Sequence, residues 1–231
     1  MGYHAVRDER ILHLPGTLTL GILPHTKGAI DLATRAKDFG KEVLLHQPME
    51  ARPSRWALRE PGTLLVSMQA HTFTSTFEAA LDRLPNVAGV SNHTGSLLTS
   101  DPAAMRRLMT VIKARNLYFL DSRTTPATVA LDMAVEAGVP ASKRDVFLDN
   151  EISLEAIHLA FRQALSVARK QGKAIVIAHP YEQTVRYLEH VLYALPEDIT
   201  LVSAGYLAYS SYPETPVPQQ VAAFPHKAPV Q

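Results

Sequence analysis

The hydrophobic pattern of this chain switches repeatedly between short apolar runs and longer stretches of helical period. Residues 18–23, 42–45, 87–90, 117–120, 146–148, 174–178 and 199–202 are runs of strand length, too short to read as buried helices. Between them, apolar side chains recur three and four apart. Ala29, Ala33, Ala36 and Phe39 share a face over 26–39, and Phe77, Leu81 and Leu84 do so over 72–84. Met105, Leu108, Met109 and Ile112 form a stripe after Asp101-Pro102; Val129, Met133 and Ala137 lie in 125–137. Ile157, Phe161, Leu165 and Ala168 line the longest such segment, 153–171, and 182–195 completes the set. Thr26, Asp101 and Ser153 stand where a side-chain oxygen would cap a first turn. Gly40, Gly138 and Gly172 stand where helices stop. Strands apolar on both faces belong to a parallel sheet covered by helices. Regular alternation of strand and helix predicts a parallel α/β sheet or barrel.

The chemistry sits where the apolar runs end. In order, the runs finish at His25, His46, Asn92-His93, Asp121, Asp149 and His179. In parallel α/β folds these ends share one rim, and sites form there. Open zinc sites take three His or carboxylate ligands, which different strands can supply. Such an ion polarises a carbonyl and supplies hydroxide near neutral pH, while a further imidazole or carboxylate moves protons. Residues 47–70 show no period and carry Pro48, Pro53 and Pro61, so a long loop is expected there. Its Trp56 either plugs the loop onto the body or offers a stacking platform to a sugar ring. His25 is assigned to the approach to its helix. Asp149 is read with Asn150 as shaping a turn before the Ser153 cap.

Composition removes several alternatives. The 231 residues fit one large domain, and 46% hydrophobic residues suffice for a core. A net charge of +1 speaks against a nucleic-acid surface. With no cysteine, thiolate chemistry and Cys-ligated zinc are excluded. No GxGxxG, GxxxxGK[ST] or GxSxG pattern occurs, which disfavours phosphate-cradling loops and a serine hydrolase. No membrane span or signal peptide is evident, so the chain as written is expected in the cytoplasm. Proline crowds the end of the sequence, and residues 208–231 are expected to form a disordered tail after a domain at 1–207. Oligomeric state is left open.

Six stretches, taken in order, resemble a known family: LPHT (23–26), GKEVLLHQPME (40–50), SNHTGS (91–96), FLDSRT (119–124), RDVFLDN (144–150) and AHP (178–180). The set is similar to the divergent polysaccharide deacetylases, relatives of the NodB-type carbohydrate esterases. The resemblance implies a distorted (β/α) barrel, a divalent metal, zinc being expected, and hydrolysis of an N-acetyl group on a carbohydrate. By position it makes His46 and His93 metal ligands. Asp121, Arg123 and His179 become the supporting acid, base or oxyanion groups, and Asn92 and Trp56 the substrate contacts. Members are usually exported to the periplasm or cell envelope.

The sequence also departs from the family. Members start with an apolar strand ending in Ile-Asp-Asp-x-Gly, whose acids resemble a metal ligand and a general base. This chain opens at Met1-Gly2-Tyr3, where the last part of that motif would fall. The barrel is therefore expected to lack its first strand and both acids, with Asp8 and Glu9 poor substitutes in a helical stretch. Impaired catalysis follows as an expectation, from a truncated gene start or from a true pseudoenzyme. The competing reading is a non-catalytic carbohydrate-binding or envelope-scaffold protein on the same fold. A mutual ion pair of Asp121 with Arg123 is the structural alternative to their catalytic roles.

Overall fold

The computed structural model describes residues 1–53, 60–212, 217, 218 and 221. Five parallel strands form one sheet in sequence order: β1 (Thr19–Ile22), β2 (Glu42–Met49), β3 (Val87–Thr94), β4 (Tyr118–Asp121) and β5 (Ala141–Lys143). A second parallel pair, β6 (Val146–Phe147) and β7 (Val176–Ile177), follows. The helices are α1 (Ala5–Leu12), α2 (Ala29–Ala36), α3 (Ala70–Arg83), α4 (Pro102–Ala114), α5 (Ala130–Ala137), α6 (Leu154–Gln171), α7 (Glu182–Val191) and α8 (Ala204–Tyr209). This is an α/β fold with a five-stranded parallel sheet and flanking helices, consistent with a distorted barrel. No described helix is long and apolar enough to cross a membrane.

Two expected caps form: Asp101 accepts from the Ala104 N–H at 2.7 Å, and Ser153 from the Ala156 N–H at 3.1 Å. Gly138 and Gly172 end α5 and α6 in left-handed backbone. Thr26 does not cap; its hydroxyl donates to the Leu23 carbonyl, and α2 begins at Ala29. β5 is absent from the sequence reading because Ala-Ser-Lys is barely apolar. Residues 199–202, expected as a strand, form none. α1 is the first element among the described residues. Beside β1, the Met1 amino group donates to the Gly21 carbonyl at 2.8 Å, and the Leu23 N–H donates to the Met1 carbonyl.

Strand pleating sorts side chains onto two faces. Leu20, Ile22, Val43, Leu45, Val90 and Phe119 enter the larger core, against the helices. Leu44, Ala88, Tyr118 and Leu120 enter a smaller inner core closed by Ile175, Ala208, Tyr209 and Val221. The expected tail therefore starts inside α8, and the described Val221 is packed into the body. Deep in the inner face, the Glu42 carboxylate accepts from Thr19, Tyr118 and the Gly205 N–H. Gly89 is required above it: a Cβ there would lie 2.6 Å from the Tyr118 ring.

Candidate active site at the sheet mouth

The β2–β3 register decides which strand-end residues meet. Leu44 faces inward, so His46 and Pro48 do too; Gly89, Ser91 and His93 stand opposite them in order. His46 Nδ1 lies 2.8 Å from the Ser91 hydroxyl, and His46 Nε2 lies 3.2 Å from His93 Nδ1. Both imidazoles are half-buried. Burial holds the His46 imidazole well below its ordinary pKa, helped by His93, the Met1 amino group and His179. Burial lowers His93 as well; Glu60 opposes this, and the Met1 amino group and His179 add to it. His46 and His93 are thus the two imidazoles in direct contact at the mouth. Both ligand candidates favour the neutral, lone-pair-bearing form.

His179 is held by the acid that the sequence reading assigned to a turn. Asp149 is buried; its Oδ1 meets His179 Nδ1 at 2.9 Å. Its Oδ2 accepts from the His179 N–H at 2.6 Å and from the Thr184 hydroxyl at 2.9 Å. A carboxylate at Nδ1 favours the tautomer that leaves Nε2 free toward solvent. Phe147 stacks on the imidazole, centroids 5.6 Å apart and planes 13° apart, and Tyr181 flanks it at 5.3 Å. The ring is 46% exposed along its side chain, so it is fixed yet accessible.

Other expectations are corrected. Asp121 follows Leu120 on β4, so it faces the helices, away from the imidazoles. Its carboxylate accepts from the Arg123 N–H and the Thr128 hydroxyl, which fixes the loop before α5. Burial pushes its carboxyl pKa up against those two bonds. The Asp121–Arg123 ion pair does not form among the described residues; the contact is to the Arg123 backbone. Arg123 is exposed, at φ 49°. Asn92 is fully buried, and its amide donates to the Thr94 carbonyl and accepts from the Ser122 N–H. Trp56 lies outside the described residues. Asp8 is buried at the start of α1, accepting from the Gly2 and His4 N–H groups. Ser91 was missed; the S-x-H spacing on one strand was its signal, because residues two apart share a face.

A tetrahedral zinc ion with two imidazole ligands separates their nitrogens by roughly 3.3 Å, from bond lengths of about 2.0–2.1 Å. His46 Nε2 and His93 Nδ1 stand at a similar separation as a hydrogen-bonded pair, so holding an ion would require the shared proton to leave. Among the described residues no group of three His, Asp or Glu side chains converges to complete the set.

The model of the family described as divergent polysaccharide deacetylase matches residues 1–208. The chain belongs to this family. An uncharacterized protein, YibQ, of Escherichia coli K12 is 37% identical over 221 residues, covering 96% of this chain and 69% of that protein. A protein of Haemophilus influenzae is 36% identical over 207 residues, covering 90% of this chain and 73% of its own length. The crystal structure of ATU2773 from Agrobacterium tumefaciens C58 superposes with a TM-score of 0.78 at 24% identity, covering 82% of this chain and 77% of that one. That likeness concerns the fold.

Proposed function

We propose that this divergent polysaccharide deacetylase hydrolyses N-acetyl groups on a carbohydrate at the mouth of the inner face. The observation that carries the reading is the pairing of two neutral-leaning imidazoles, His46 and His93, at the ends of adjacent parallel strands, together with a carboxylate-anchored, half-exposed His179 at another strand end. His46 and His93 would hold a divalent ion, expected to be zinc, which supplies polarisation of the acetamide carbonyl. Ser91 orients His46 so that its Nε2 faces His93. Asp149 holds His179 through Nδ1, so His179 donates a proton to the departing amine nitrogen from Nε2. Phe147 and Thr184 keep that ring and that carboxylate in place.

The test is acetate release from a β-1,4-linked N-acetylglucosamine oligomer by the full chain, with zinc and with EDTA. Zinc-dependent release that disappears in His93→Ala supports the reading. Release unaffected by chelation overturns the metal assignment; no release at all overturns the activity. The incomplete ligand set favours a second reading, a carbohydrate-binding protein on the same fold. Glycan binding that survives EDTA, without acetate release, would select it.

A further inference from the structure

Next to the proposed site lies a cleft of about 270 Å³ lined by Arg123, Thr125, Pro126, Arg144 and Asp145. Two guanidinium groups share it. The Arg144 guanidinium is half-buried; burial and the charge of Arg123 both hold it below its usual pKa. The fold maintains this repulsion with specific bonds. Arg144 Nε donates to the Ser122 carbonyl at 2.7 Å, and one terminal nitrogen donates to the Arg123 carbonyl at 2.9 Å. Arg123 sits in the left-handed region at φ 49°, a conformation that costs energy in a side-chain-bearing residue. The Asp121 carboxylate holds its N–H there. The loop is thus braced from both sides, and it presents Arg123 with no hydrogen-bond or ion-pair partner for its guanidinium among the described residues. The cleft's own acid does not neutralise the pair by contact: Asp145 Oδ2 accepts from the Ile175 N–H at 2.7 Å.

The cleft is tied to the catalytic imidazole by stacking. The Arg144 guanidinium lies 4.0 Å from the Phe147 centroid, and the same ring stacks with His179 at 5.6 Å between centroids. An anion in the cleft would therefore sit a short stretch of glycan away from the proton donor.

We infer that Arg123 and Arg144 form a subsite for a carboxylate carried by an acidic sugar unit neighbouring the N-acetylated one. This rests on the carbohydrate reading above and narrows it to acidic polysaccharides. A guanidinium fork matches a carboxylate's two oxygens, which suits arginine rather than lysine at position 123. Arg123 supplies the free fork, and Arg144 supplies charge and fixes the loop.

The experiment compares two probes on the full chain in EDTA: a tetrasaccharide alternating N-acetylglucosamine with a hexuronic acid, and its carboxyl-reduced, neutral twin. The wild type should bind the acid at least about tenfold tighter at low ionic strength, with the ratio shrinking as salt rises. Arg123→Gln should bring the ratio close to one. Arg123→Lys should restore part of it, which separates charge recognition from a folding defect. Equal affinity of the wild type for both probes, binding of neither, or an undiminished ratio in Arg123→Gln would overturn the subsite. Binding in EDTA needs no turnover, so loss of the preference and loss of deacetylation are read separately.

Discussion

The inner face of the sheet holds a polar cluster at each end, and the two are built for opposite purposes. At the lower end, Glu42 is fully buried, and Thr19, Tyr118 and the Gly205 N–H all point at its Oε1. α8 and Val221 close that end. At the mouth, His46, His93 and His179 are only partly covered, and the contacts of His93 and His179 are made through Nδ1, which leaves Nε2 of each ring uncommitted among the described residues. A sealed cluster spends its donors on one acceptor and serves folding. An open cluster keeps atoms free for the chemistry proposed above. Glu42 and His46 share β2, and the hydrogen bonds described for each cluster do not reach the other.

The largest expected separation comes from His179→Ala. Loss of a positioned proton donor should lower kcat by about 10²–10⁴-fold. The ring is half-exposed, and its removal opens Asp149 Oδ1 to water while the His179 N–H and Thr184 bonds to Oδ2 remain, so the urea midpoint should stay close to that of the wild type. A large fall in stability alongside the activity would mean that the mouth also supports the fold, and the contrast between the two ends would collapse.

Tyr118→Phe probes the sealed end. Its hydroxyl donates to Glu42 at 2.6 Å with both groups buried. Removing it leaves the carboxylate short of a donor, at a cost of about 1–3 kcal/mol. Equilibrium urea unfolding should show that loss, while acetate release under saturating substrate stays at wild-type rate. Destabilisation below about 0.5 kcal/mol would show that the Glu42 cluster is not held by this bond.

Much of this contrast was legible in the sequence, and the rest was hidden for a geometric reason. Apolar runs and caps gave the strand–helix alternation, and strand ends gave the three imidazoles. What the pattern could not give was the face. Asp121 and Asp149 both follow Phe-Leu at a strand end. The pleat of β4 turns Asp121 toward the helices, whereas Asp149 lies against His179. Choosing between two such similar stretches needs the register across strands, which hydrophobicity alone does not encode. Glu42 was hidden similarly: a charged residue opening a strand reads as a solvated end, until α8 returns from far along the chain to cover it.

The smallest effect sought is a slope rather than a loss. Burial raises the Glu42 pKa above 4.5, winning over the hydrogen bonds that favour the charged form. The folded state therefore keeps a proton that the unfolded state has already released. Stability from this group is full below the unfolded pKa. It is lost as pH rises through the window up to the raised folded pKa, at no more than about 1.4 kcal/mol per pH unit, and is constant above it. Glu42→Gln cannot titrate, so this component of the slope should vanish while the Tyr118 bond keeps an acceptor. Urea midpoints taken between pH 4.5 and 8, wild type against Glu42→Gln, measure the difference directly. A wild type that gains stability over Glu42→Gln as pH rises would reverse the sign. It would mean that the donors around Oε1 outweigh burial, so that the sealed end holds a settled anion.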